Sequence, residues 1–152
     1  MKQFPQRPEY QVSSTLAAAD KPALEKLFFF NDNQARLRET VVRAVEKYGV
    51  PEIIKSEGKV RLMLPRIESA QTLYLCTNDL NPSLIGLVVY VREERNMKIL
   101  YWALRPDYAS RSRTRKYLLL EMVEMLKAVG RRIVGIDSLA FEFGSREFKL
   151  RI

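Results

Sequence analysis

LIGLVVYVREERNMKILYWALRP, residues 84–106, decides the fold. Its two halves, 84–92 and 98–104, are rich in Val, Ile, Leu, Tyr and Trp and are joined by the polar stretch 93–97. Two such runs with a polar connection predict a β-hairpin. Both are apolar at nearly every position, so the sheet they begin is expected to be covered on both faces.

Toward the C-terminus, Leu119, Met122, Val123 and Leu126 recur at helical spacing, and Leu118 and Met125 widen the stripe. This predicts a helix over 114–129, with Gly130 placed to end it. RRIVGIDSL (131–139) predicts a strand over 133–139. Strand, helix and strand in that order imply a right-handed crossover and a parallel pair. REFKLRI (146–152) closes the chain as an edge strand.

Toward the N-terminus, strands are expected over 59–64 and 72–77, with NDLNPS (78–83) as a turn. Upstream, Leu37, Val41, Ala44, Val45 and Tyr48 mark a helix that Asp32 or Asn33 can cap and that Gly49 and Pro51 terminate. An earlier helix starts near Asp20, with Pro22 in its first turn and Leu24, Leu27 and Phe28 on its apolar face. The FFFN run (28–31) reads as core packing, and 10–15 as a first strand. The resulting chain is a mixed α/β (α+β) domain over 10–152, preceded by an extended arm at 1–9. Its central sheet is mixed and mostly antiparallel, with helices on both faces.

Composition narrows the chemistry. With 152 residues there is material for one domain with its own core. No apolar stretch approaches the roughly 20 residues that span a bilayer. The N-terminus has no apolar signal core, so a cytoplasmic protein is expected. The chain has no histidine, which removes Ser-His-Asp and Cys-His machinery and the usual zinc ligands. Cys76 is the single cysteine, so there is no intrachain disulfide and no thiolate zinc cluster. The six glycines are too scattered for a Walker loop or a dinucleotide fingerprint.

The formal net charge is +8. Arg111, Arg113, Arg115, Lys116, Lys127, Arg131 and Arg132 are opposed between Ala109 and Arg132 only by Glu121 and Glu124. A basic segment of this kind favours an anionic partner, or simply keeps a helix end solvated.

The element order resembles the GNAT superfamily of acyl-CoA-dependent N-acyltransferases. YQVSSTLAAADKPALEKLF (10–28) looks like that family's opening strand and first helix, with its Ala-Asp-x-Pro-Ala-Leu stretch as ADKPAL (19–24). ALRPDY (103–108) looks like the family's hydrophobic-x-Pro-x-Tyr end of the fourth strand, and the helix from Thr114 resembles its third helix.

Between those last two the family carries V-x-P-x-x-R-G-x-G-x-G-x-x-L-L, whose backbone N–H groups hold the coenzyme A pyrophosphate. Aligned from Pro106, the glycine positions fall on Ser110, Ser112 and Thr114. The motif's arginine falls on Ala109, and its Leu-Leu pair on Tyr117 and Leu118. The resemblance therefore implies a glycine-free loop in which Ser110, Ser112 and Thr114 offer hydroxyls and Arg111, Arg113 or Arg115 supply charge. Without a ligand, Ser112 or Thr114 would simply cap the helix.

In the family a fourth-strand amide binds the acyl carbonyl, which points here to Trp102–Leu104, and Leu104 borders the cofactor loop. A carboxylate or relayed water acts as base, and a tyrosine on a fourth helix protonates the thiolate. Only thirteen residues follow Leu139, with no tyrosine among them. The nearby phenols are Tyr101, Tyr108 and Tyr117. The nearby carboxylates are Glu93, Glu94 and Asp107, so Glu94, Tyr101 and Tyr108 are the catalytic candidates.

Three functions stay open. One is acetyl or other acyl transfer from an acyl-CoA to an amine. Another is a catalytically silent module on the same fold. The third is nucleic-acid binding through residues 111–132. No metal and no membrane contact are expected, and an uncovered sheet edge makes a homodimer plausible.

Overall fold

The computed structural model describes residues 10–29, 35–78, 80–105, 115–143 and 146–152. In chain order the elements are β1 (Tyr10–Ser13), β2 (Leu16–Ala17), a 3-10 turn (Ala18–Asp20), α1 (Lys21–Phe29), α2 (Ala35–Tyr48), β3 (Glu52–Ser56) and β4 (Lys59–Met63). They continue with β5 (Gln71–Thr77), β6 (Leu84–Glu93), β7 (Asn96–Leu104), α3 (Arg115–Arg131), β8 (Ser138–Phe143) and β9 (Arg146–Arg151). The fold is mixed α+β, with one six-stranded sheet in the order β1-β5-β6-β7-β8-β9 and one three-stranded sheet in the order β2-β4-β3. The expected single sheet is thus two. The arm at 1–9, the helix cap at Asp32 or Asn33 and the side chains of the FFFN run fall outside the described residues.

The hairpin at 84–104 is the spine of the larger sheet. Leu84 to Tyr90 are all buried, as the unbroken apolar run requires. Its turn is shorter than the polar stretch suggests. Glu93 pairs with Asn96, leaving Glu94 and Arg95 as a two-residue loop. Glu94 adopts a left-handed φ of 56°, and tight hairpin loops need such a residue. The closed turn draws Met97 into the ladder, where it is fully buried.

One residue of β7 has no opposite number. Val89 faces Tyr101 and Tyr90 faces Ile99, so Leu100 is an extra residue in a β-bulge. The bulge breaks the usual in-out alternation. Ile99 and Trp102 face the cluster built around Leu126 and Val129 of α3. Leu100, Tyr101 and Ala103 face the cluster containing Leu24 and Leu27 of α1 and Ala44 of α2. The same alternation divides β5, with Tyr74 and Cys76 in one cluster and Leu75 in the other.

The parallel pair implied by the crossover is present, between β7 and β8, and it is short. Asn96, Lys98 and the residue between them pair with Ser138 to Ala140, and the register stops there. The second strand of the pair begins five residues later than expected, because Ile133–Asp137 is loop rather than strand. Gly135 has a φ of 84°, and the Ile133 and Ile136 amides donate back to Gly130 and Ile133 carbonyls in successive turns. Ile133 and Ile136 still pack on the α3-side cluster, so their apolar character serves packing without a strand.

The three-stranded sheet adds β3, which no expectation covered. Its residues are exposed apart from the partly buried Ile53, so the run EIIKS lacks a full apolar face. Among the described residues, two side-chain hydrogen bonds tie this sheet to the larger one. The Leu62 N–H donates to the Tyr74 hydroxyl at 2.7 Å, and Thr72 Oγ1 donates to the Leu62 carbonyl at 3.1 Å.

The β3–β4 turn is Glu57-Gly58, with φ values of 52° and 75°. Both positions are left-handed, the geometry that favours Asn-Gly and disfavours a glutamate. Glu57→Asn is therefore expected to add about 0.5–1 kcal/mol of stability. Its thermal midpoint should rise by a few degrees in a melt.

Candidate functional site

Beyond the last parallel pair, β7 and β8 go separate ways. Residues 99 and 101–104 remain paired to β6, and residues 141–143 pair only with β9. A sheet that comes apart in this way leaves a gap between two strands still anchored on their outer sides. The bulged Leu100 sits just past the last pair, so it has no opposite residue in β6 or in β8. Bulges of this kind are common beside active sites because they release a strand from its ladder.

A narrow cleft of about 20 Å³ opens at this gap. Ile99, Leu100 and Trp102 line it from β7, Arg43, Ala44 and Tyr48 from α2, and Glu142 from β8. The rim is held by a salt bridge from Lys47 of α2 to Glu142, with Nζ to Oε1 at 3.1 Å. That contact holds the Lys47 ammonium above its usual pKa, with a smaller contribution from Tyr48. Both side chains are about half exposed, so the bridge orients the rim more than it stabilises the fold. On the opposite face the gap is closed by rings. Trp102 and Phe141 meet at 5.1 Å, and Phe141 stacks on Phe148 at 5.2 Å.

Of the candidate catalytic groups, Tyr101 is fully buried next to the cleft. Its hydroxyl donates to the Gly49 carbonyl and lies 3.1 Å from the Ala44 carbonyl. Burial pushes its pKa up to about 12, with a smaller contribution from Tyr48. The phenol thus fastens the C-terminal end of α2 to β7. Gly49 contributes by ending α2 with a φ of 92° and an N–H bond to Val45. Glu94 is exposed at the hairpin tip, with eight residues of strand rise, roughly 25–30 Å, between Asn96 and Leu104. The structure does not bring Glu94 and Tyr101 together. Glu93 is drawn instead toward Lys98 at 3.9 Å.

Tyr108, Asp107, Ser110, Arg111, Ser112, Arg113 and Thr114 lie outside the described residues. Leu104 and Arg115 are described as backbone, at the end of β7 and the start of α3. Arg105, the last described residue before that segment, is anchored. Its N–H donates to the Ile85 carbonyl, and Nη1 reaches Ser83 Oγ at 3.3 Å and the Leu84 carbonyl at 3.4 Å.

Arg43, Leu100 and Glu142 are cleft residues that the sequence patterns do not single out, and Tyr48 figures there only in the apolar stripe of α2. Only the bulge brings Leu100 forward, and bulges leave no residue signature here. Among the described residues there is no group of three His, Cys, Asp or Glu side chains able to hold a metal. Cys76 is buried and burial raises its thiol pKa, which disfavours the thiolate. No helix among the described residues is long and apolar enough to cross a membrane. No protein-family model, curated protein or solved structure matches the chain.

Proposed function

We propose that this chain is a GNAT-like, acyl-CoA-dependent N-acyltransferase with a glycine-free pyrophosphate loop. The observation that carries the reading is the three-residue parallel pair between β7 and β8, followed at once by the Leu100 bulge and the cleft. The element order supports it too. Two short strands and two helices precede antiparallel strands, and a helix then leads to a parallel strand.

An acyl-CoA, when bound, supplies a thioester carbonyl activated toward amines. The narrow cleft is lined by Leu100, Ile99 and Trp102, with Arg43, Tyr48 and Glu142 as its polar groups, and an acyl group entering it would have to widen it. Residues Ser110, Arg111, Ser112, Arg113, Thr114 and Arg115 would hold its phosphates. The chain's own contribution is mainly positioning and backbone stabilisation of a developing oxyanion from the end of β7. Glu142 is the one carboxylate among the described lining residues of the cleft. It already holds one ammonium, that of Lys47, and can accept hydrogen bonds from an acceptor amine in the same way.

The test is thiol release from acetyl-CoA in the presence of primary amines. Amine-dependent release is expected, and Glu142→Gln should lower it about tenfold or more, the scale of a charge-assisted hydrogen bond. Absence of amine-dependent release, with acetyl-CoA still bound, would favour a second reading. In that reading the fold serves as a binding module. The specific observation behind it is the Trp102–Phe141–Phe148 ring contact, which fills one side of the gap between the diverging strands.

A further inference from the structure

A second and larger cavity, of about 460 Å³, shares none of its described lining residues with the cleft at the β7–β8 gap. It is bounded by Ala19 of the 3-10 turn, by Pro22, Ala23, Lys26 and Leu27 of α1, by Leu84 at the start of β6 and by Arg105 after β7. Its origin can be traced to residue size. Protein interiors are close-packed, and voids much larger than a water molecule are few. Here α1 offers a small side chain, Ala23, against the core cluster, and the turn before it places the exposed Ala19 at the mouth. The alanines leave unfilled the space that longer side chains would occupy. Leu27 and Leu84, both 2% exposed, form the apolar floor.

The polar part of this lining has one sign. Lys26 and Arg105 are its only ionisable described residues, and both are cations. The Arg105 side chain is held in place by its contacts with Ser83 and the Leu84 carbonyl, so its charge is delivered at a fixed point beside Leu84. An apolar floor with a cationic rim selects a molecule of complementary build. We propose that this cavity binds a small amphipathic anion, an apolar chain or ring carrying one carboxylate or phosphate head, with the body on Ala23, Leu27 and Leu84 and the head on Lys26 and Arg105. The volume lies within the 300–1,000 Å³ range of small-molecule sites. Its described lining includes no residue assigned above to the coenzyme A site.

The probes are octanoate and octyl phosphate, with octanol and octylamine as chain-matched controls, measured by calorimetry and thermal shift on the full chain without coenzyme A. Saturable submillimolar binding of octanoate or octyl phosphate is expected, and the tighter of the two names the head group. Lys26→Glu, at an exposed position, should weaken that binding tenfold or more while leaving the unliganded melting temperature unchanged. Ala19→Trp should abolish it by filling the mouth. The proposal is overturned if neither anion binds at millimolar concentration, or if octanol or octylamine binds as tightly. It is equally overturned if Lys26→Glu and Ala19→Trp both leave affinity unchanged. Loss of acetyl-CoA binding alone leaves these results as they are, so the two sites fail separately.

Discussion

Tyr101→Ala is expected to cost about 3–5 kcal/mol of unfolding free energy, the range for removing a buried aromatic ring. Tyr101 is fully buried, and its ring lies 6.2 Å from that of Tyr48 on α2. The truncation would leave a void between α2 and β7 and strip the Gly49 carbonyl of its donor. Tyr101→Phe separates the two effects, keeping the ring and losing only the hydroxyl, for about 1–3 kcal/mol. Urea unfolding of the two variants against the parent measures both.

The phenol also sets a pH signature. Its folded pKa is raised from 10.0 to about 12, by burial first and by Tyr48 second. The folded state therefore holds the proton after the unfolded chain has released it. The associated stability is fully present below pH 10 and is lost as pH climbs from 10 to about 12. Tyr101→Phe should remove that part of the alkaline decline. Part of the decline should persist, because burial also raises the phenols of Tyr74 and Tyr90.

Phe141→Ala is the second large effect, again about 3–5 kcal/mol. Phe141 stands just beyond the last β7–β8 pair, at the point where hydrogen bonds no longer join the two strands. There its ring touches Trp102 of β7 and stacks on Phe148 of β9. Contact between the strands on the α3 side is thus made by aromatic rings in place of a ladder. Removing the middle ring should widen the gap as well as destabilise the fold. A drop in thermal midpoint accompanied by increased tryptophan quenching, read on the single tryptophan of the chain, checks both consequences.

The unevenness of what the sequence discloses has physical causes. The 84–104 hairpin is legible because both strands are buried on both faces, and continuous burial leaves a continuous apolar run. The crossover is legible for a similar reason, since α3 packs a periodic stripe that includes Leu126 and Val129. β3 escapes because it is an exposed strand with little apolar face, and its best signal is the turn glycine, Gly58. Residues 133–137 mislead in the opposite direction. Ile133 and Ile136 are apolar because they pack on the α3-side cluster, while Gly135 takes a φ that a regular strand does not accept.

The candidate site is harder to read still. Its defining feature is the register slip at Leu100, created by which residues of β6 and β7 face each other. Leucine is unremarkable at either a paired or a bulged position. Glu142 and Arg43 reach the cleft from elements separated from β7 in sequence, and nothing in their local context marks them. The proposed phosphate segment is the reverse case, conspicuous as Ser-x-Ser-x-Thr among arginines and lying outside the described residues.

Calorimetric titration of the full chain with acetyl-CoA tests the proposed coenzyme A site most directly. A saturable heat is expected, with affinity falling about tenfold or more in Arg111→Ala and in Arg113→Ala, since each removes a charge-assisted contact of about 1.5–3 kcal/mol. No heat and no thermal shift at millimolar acetyl-CoA would contradict it.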